Sequence, residues 1–170
     1  MNRVLRCQID TGNRIFTLVA SGGQGDMDGF MRAAFEEAEL GLKEGGIPIG
    51  AVLVKDGVVT GKGHNRRVQE GNPIMHAEID CLRDAGRIRT YGGTILYSTL
   101  MPCYLCAGAV VQFGIKKVIV GESRSFPGAM EFMTSHGVEV VDLDDVECIE
   151  MMRMFILKNL ELWNEDIGAL

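Results

Sequence analysis

The chain has no apolar run approaching the roughly 20 residues that a membrane-spanning helix requires. Its first residues, "MNRVLRCQIDTGNRIF", lack the continuous apolar stretch of a secretory signal, so a cytoplasmic location is expected. It also lacks basic clusters: no run of Lys or Arg is longer than two, and the net charge is −6. Three Arg against two Asp in the first 26 residues leave the rest of the chain at −7. Nucleic-acid binders gain most of their affinity from phosphate contacts on a basic face, so the expected partners include neither nucleic acid nor a membrane. Cysteine is sparse and odd in number, at five, which excludes a disulfide framework in a chain without a signal. Internal repeats are absent, and so is any low-complexity tract beyond "SGGQGD".

What is present is enough for one globular domain. At 170 residues, 46% hydrophobic and 24% charged, the chain can bury a core of ordinary size. Residues 1–26 are expected to be an extension, a β-hairpin over 3–20 followed by the linker "SGGQGD", with Met27 as an alternative start. A helix is expected over 27–45, burying a stripe of Phe30, Ala34, Ala38 and Leu42. "IGAVLVKDGVVTGKGHN" reads as two strands turned at Asp56-Gly57. "HAEIDCLRDAG" is a helix closed by Gly86. "GTILYSTL" is a buried strand running into the helix "PCYLCAGAVVQFG", with Pro102 in its first turn. A strand at "KKVIVGE", a helix at "FPGAMEFMTSHG", a strand at "VEVVDLD" and a helix capped by Asp144 or Asp145 complete the pattern. Strands alternating with helices imply an α/β layer fold of parallel strands with an antiparallel hairpin at one edge.

Two short stretches carry the chemistry. Cys103 and Cys106 stand three apart at a helix start, where exposed N–H groups and the helix dipole favour thiolates. Two thiolates with one nitrogen, from His76, describe a catalytic zinc site with one position open for water. Glu78, two residues after His76, can reach that water without becoming a ligand and can shuttle its proton. A redox pair would need neither His76 nor Glu78. A closed structural site would need a fourth ligand, and Cys81, the nearest candidate, is expected to face the core. The whole pattern matches the zinc deaminase signature H-x-E…P-C-x-x-C.

From about Met27 to Gly168 the chain resembles the cytidine/deoxycytidylate deaminase superfamily, and within it the fungal-type cytosine deaminases. "EEAELGLKEGGIPIGAVL", "GKGHNRRVQEG", "HAEIDCL", "LYSTLMPCYLCAGAVVQFGI", "VIVGES" and "LWNEDIG" carry the likeness. The resemblance implies a three-layer α-β-α sandwich around a five-stranded mixed sheet and one zinc ion per subunit. It also implies a homodimer and a small nucleobase substrate, cytosine converted to uracil in pyrimidine salvage. By the same resemblance Asn65 binds the pyrimidine ring, Asp166 receives the exocyclic amino group, and Trp163 and Phe126 close over the ring. Ile49 and Leu100 are pocket walls, the N–H groups of Ala77 and Glu78 meet the ring carbonyl, and residues from about 160 to 170 form a lid.

Three positions depart from the fungal-type pattern: Ala77 replaces a glycine, Met101 a small hydroxyl residue, and Val68 a pocket phenylalanine. Val68 and Met101 are therefore candidates for reshaping the pocket toward isocytosine, a substituted cytosine or creatinine. Guanine deaminase and tRNA adenosine deaminase share the zinc words, and a non-enzymatic zinc module is the remaining alternative. His64 is expected to point away from the site, His136 to sit in a loop, and "DLDD" at 142–145 to cap a helix and not to bind metal. Met151, Met152 and Met154 are expected to fill the core or a dimer interface.

Overall fold

The computed structural model of the protein describes residues 27–169, so the expected N-terminal hairpin, its linker and Cys7 lie outside the described residues. Within them a five-stranded mixed sheet has the order β2-β1-β3-β4-β5. The strands are β1 Gly50–Lys55, β2 Val58–His64, β3 Thr94–Leu100, β4 Lys117–Glu122 and β5 Glu139–Asp142. β1 runs antiparallel to both β2 and β3, while β3, β4 and β5 are mutually parallel. The Asp56-Gly57 turn forms where expected, and both of its residues have positive φ, as a two-residue hairpin demands.

Seven helices clothe this sheet: α1 Gly29–Lys43, α2 Arg67–Glu70, α3 Ala77–Ala85, α4 Tyr104–Phe113, α5 Met130–Ser135, α6 Val146–Lys158 and α7 Leu160–Asp166. Alternation along β1 assigns the two faces. Val52 and Val54 pack with Met31, Ala34 and Phe35 of α1 and with Cys148 of α6. Ala51 and Leu53 point the other way, into a core with Ala77 and Cys81 of α3 and Ala107 and Val110 of α4. The result is the expected three-layer sandwich.

Two glycines let the outer layers approach. A Cβ on Gly50 would sit 2.0 Å from the Ala34 carbonyl oxygen of α1, and one on Gly63 would sit 2.5 Å from the Cys81 nitrogen of α3. The stripe of α1 differs from expectation: Met31, Ala34, Phe35, Ala38 and Gly41 are buried, while Leu42 is exposed. Gly41 takes the buried place because the His64 ring occupies the space a side chain there would need. Asp145 caps α6, accepting from the N–H groups of Glu147 and Cys148.

Candidate active site

The site lies at one end of the sheet, beyond the carboxyl ends of β2, β3 and β4. The N–H of Asn65 donates to the Ile49 carbonyl at 2.9 Å, extending the β1–β2 ladder and fixing both residues side by side. Leu100 ends β3 and leads through Met101 and Pro102 into Cys103. Pro102 precedes Cys103, the N-cap of α4, so it lies before the helix and not in its first turn as expected. Cys106 falls in the first turn of α4. His76 is likewise the N-cap of α3, and Glu78 lies in that helix's first turn. Two helix N-termini therefore converge on one spot, with unpaired N–H groups and positive dipole ends facing it.

There the three donor atoms of His76, Cys103 and Cys106 lie within 4.8 Å of one another. His76 Nδ1 is 3.5 Å from Cys103 Sγ, close to the separation of about 3.6 Å that two ligands take around a tetrahedral zinc ion. One nitrogen and two sulfurs form a zinc donor set, and they leave one face toward the cavity. Hydrogen bonding to Cys106 holds the Cys103 thiol far below its usual range, at about 4, with His76 assisting and burial opposing. The same shared proton, together with burial, pushes Cys106 up. Glu78 is buried, accepting a hydrogen bond from the Ser98 hydroxyl at 3.3 Å. Burial pushes its carboxyl above the usual carboxylate range, and the Cys103 charge adds to the effect.

These groups open onto a cavity of about 260 Å³, lined among others by Ile49, Asn65, Ala77, Leu100, Phe126 and Asp166. That is a volume for a small ligand, with apolar walls and few polar groups. Asn65 Nδ2 donates to Asp166 Oδ1 at 3.3 Å. Trp163 is placed differently from expectation: it is not among the lining residues but packs edge-on behind Phe126, ring centroids 6.4 Å apart. Met101 lines the cavity, whereas Val68 is 43% exposed and faces a separate cleft with Leu162 and Glu165. Tyr104, Leu105 and Ile167 also line the cavity and carried no sequence signal beyond their neighbours. Arg67 was missed as well: its Nη1 contacts Asp166 Oδ1 at 2.5 Å.

The residues set aside stay apart. His64 is fully buried, pointing toward α1, with Nδ1 3.1 Å from Glu37 and Nε2 3.0 Å from Glu44. Cys81 lies in the hydrophobic core. Asp144 pairs with Arg124, Asp142 accepts from Ser123, and His136 caps α5 at the surface. Met152 is core, while Met154 is exposed. Among the described residues His76, Cys103 and Cys106 form the one His/Cys/acid group arranged for a metal, and no helix is long and apolar enough to cross a membrane.

Fold and donor set together define a zinc-dependent deaminase, a hydrolase of C–N bonds. The chain belongs to the family described by the cytidine and deoxycytidylate deaminase zinc-binding region, whose model matches residues 25–122. Among individual relatives, it is 43% identical over 141 residues to a cytosine deaminase of Candida albicans, covering 81% of this chain and 94% of the relative. It is also 37% identical over 145 residues to a tRNA-specific adenosine deaminase of Streptococcus pyogenes, covering 78% of this chain and 91% of that one. A solved structure from studies of A-to-I editing by tRNA:A34 deaminases matches with a TM-score of 0.64 at 32% identity, over 72% of this chain and 97% of its own. A guanine deaminase from Nitrosomonas europaea shares the fold, with a TM-score of 0.64 at 19% identity, over 74% of this chain and 82% of its own.

Proposed function

We propose that the protein hydrolyses a free pyrimidine base, cytosine and water giving uracil and ammonia, with His76, Cys103 and Cys106 as zinc ligands and Glu78 as the proton carrier. One observation carries this reading: a single small cavity joins the metal-holding triad, a buried carboxylate, and an amide–carboxylate pair. The likeness to the Candida albicans cytosine deaminase selects the base. Bound zinc lowers the pKa of a coordinated water to about 7 and so supplies a nucleophile at neutral pH. Glu78 would carry one proton to ring N3 as the oxygen of water adds to C4. It then passes the second proton to the amine, which leaves as ammonia. Its raised pKa suits a group that must hold a proton midway through the reaction.

Asn65 and the backbone N–H groups of Ala77 and Glu78 hold the ring edge, and Asp166 receives the amino group. Ile49, Leu100 and Phe126 clasp the ring faces, while Trp163 acts from behind Phe126. The catalytic unit spans 27–170, with a lid from about 160, and residues 1–26 are an extension. A second copy of the chain is the partner, packed on α4, whose apolar surface leaves Tyr104 70%, Leu105 44% and Phe113 46% exposed. The free buried thiols of Cys81 and Cys148 suit a reducing compartment, which supports a cytoplasmic role in pyrimidine salvage.

Ammonia release by the zinc-loaded protein from cytosine, 5-methylcytosine, isocytosine, creatinine, guanine, adenine and cytidine tests the reading. Cytosine should be the fast substrate, and Glu78→Gln should keep zinc and lose the activity. Retention of more than about a few per cent of activity in that variant would refute the proton-carrier role, since such transfers contribute factors of hundreds or more. Silence with cytosine but release from another ring would move the substrate while keeping the mechanism.

A further inference from the structure

The two polar residues assigned to the substrate are both held by one residue that the assignment does not include. The backbone N–H of Arg67 donates to Asn65 Oδ1 at 3.1 Å, which turns the amide so that its Nδ2 faces Asp166. The guanidinium of Arg67 lies behind this pair, in the neighbouring cleft that it shares with Val68, Pro73, Leu162 and Glu165. Nη1 donates to Asp166 Oδ1 at 2.5 Å, Nη2 to Glu165 Oε1 at 3.2 Å, and Nε to the Pro73 carbonyl at 3.2 Å. Its side chain is 12% exposed and that of Asp166 only 6%, so the pair is shielded from solvent. Asp166 Oδ1 is taken twice, by Arg67 and Asn65. Its second oxygen is left for another donor.

From this geometry we infer that Arg67 is the latch of helix α7: a positioning residue that joins the β2–α2 turn, the segment leading to His76, and the C-terminal helix. The inference rests on the cytosine-deaminase reading for the identity of the ligand, though not for the latch itself. A planar guanidinium fits because it donates along several directions at once, and an ammonium cannot reproduce that spread. With the latch closed, Asp166 is aimed and Phe126 is backed by Trp163. When it opens, α7 loses its only charged tie to the turn carrying Asn65 among the described residues.

The chain contains a single tryptophan, Trp163, and it lies on α7, buried against Phe126. Its fluorescence therefore reports the lid independently of catalysis. Acrylamide quenching and steady-state kinetics on zinc-loaded Arg67→Ala and Arg67→Lys proteins test the inference. In Arg67→Ala, KM for cytosine should rise about tenfold to a hundredfold, the range for loss of charge-assisted hydrogen bonds, with kcat changed far less. Trp163 should become markedly more quenchable. Arg67→Lys should fall between that variant and the parent in both readouts. Adding Arg67→Ala to Asp166→Ala should raise KM by clearly less than the product of the two single effects, because the two share the Nη1–Oδ1 contact. Parental quenching and parental KM in Arg67→Ala would overturn the latch. If that variant does not fold, the same result in Arg67→Lys overturns it. A parent protein inert toward cytosine would refute the substrate reading, yet quenching would still decide the latch.

Discussion

Glu78 and Asp166 are both nearly buried carboxylates, yet their surroundings give them different work. Glu78 has the Ser98 hydroxyl for a neighbour, and burial raises its pKa, with the Cys103 charge adding to the effect and His76 opposing it. Asp166 meets a guanidinium and an amide, which suit a fixed acceptor. Different neighbours are thus how one site can separate a proton carrier from a fixed binding group. His64 shows the contrasting case of a buried polar side chain outside the chemistry. Its ring lies between Glu37 and Glu44 on the α1 side of the sheet, although the next residue, Asn65, faces the cavity. His64→Leu should cost about 1–3 kcal/mol in urea denaturation, because the buried Glu37 loses one of its two partners and keeps only Lys62. KM for the base should stay near the parent value. A large KM change with unaltered stability would place His64 in the site after all.

At the scale of elements, close approach of layers depends on Gly50 and Gly63. Gly50→Ala drives a methyl into the Ala34 carbonyl, where only backbone can yield. It should destabilise the fold by about 3 kcal/mol or more, the upper range for overpacking, as read by chemical denaturation. A midpoint within error of the parent would show that α1 can shift freely. Much of this framework was legible in the sequence. The Asp56-Gly57 turn, the Gly86 stop and the strand-then-helix run at 94–113 each rest on local chemistry that tertiary packing did not override. What escaped the reading is short or long-range. α2 is one turn of four residues, too brief for a periodic pattern, and α7 follows α6 directly, with Asn159 ending one and starting the other. Arg67 could not be singled out, since its partner Asp166 lies 99 residues away. The proposed metal-holding and proton-carrying residues, by contrast, stand out in the sequence because their spacing of two and three residues is itself the signal. Trp163 shows the limit of carrying roles by likeness: an aromatic near a cavity can support its wall without forming it.

For the molecule as a whole, the metal joins two helices that otherwise rise from different strands: His76 comes from the start of α3 and both cysteines from the start of α4. An ion held by both must stabilise the fold by mass action. Stripping it with a chelator should lower the calorimetric Tm, and free zinc a thousandfold above Kd corresponds to about 4 kcal/mol. Cys106→Ser should lack most of this zinc-dependent shift. A Tm indifferent to zinc in the parent would mean that the three side chains do not act as one site.

The convergence of two helix starts has a further consequence, for how such a protein changes over time. The groups proposed to perform the hydrolysis all stand at the caps and first turns of these two helices. Other walls of the cavity, Phe126, Asp166 and Ile167, come from the loop after β4 and from the end of the chain. In the proposed reading, the chemistry and part of the contact with the ring are therefore written in separable stretches of the chain. A lineage can rewrite its final dozen residues and inherit a new diet without relearning the chemistry.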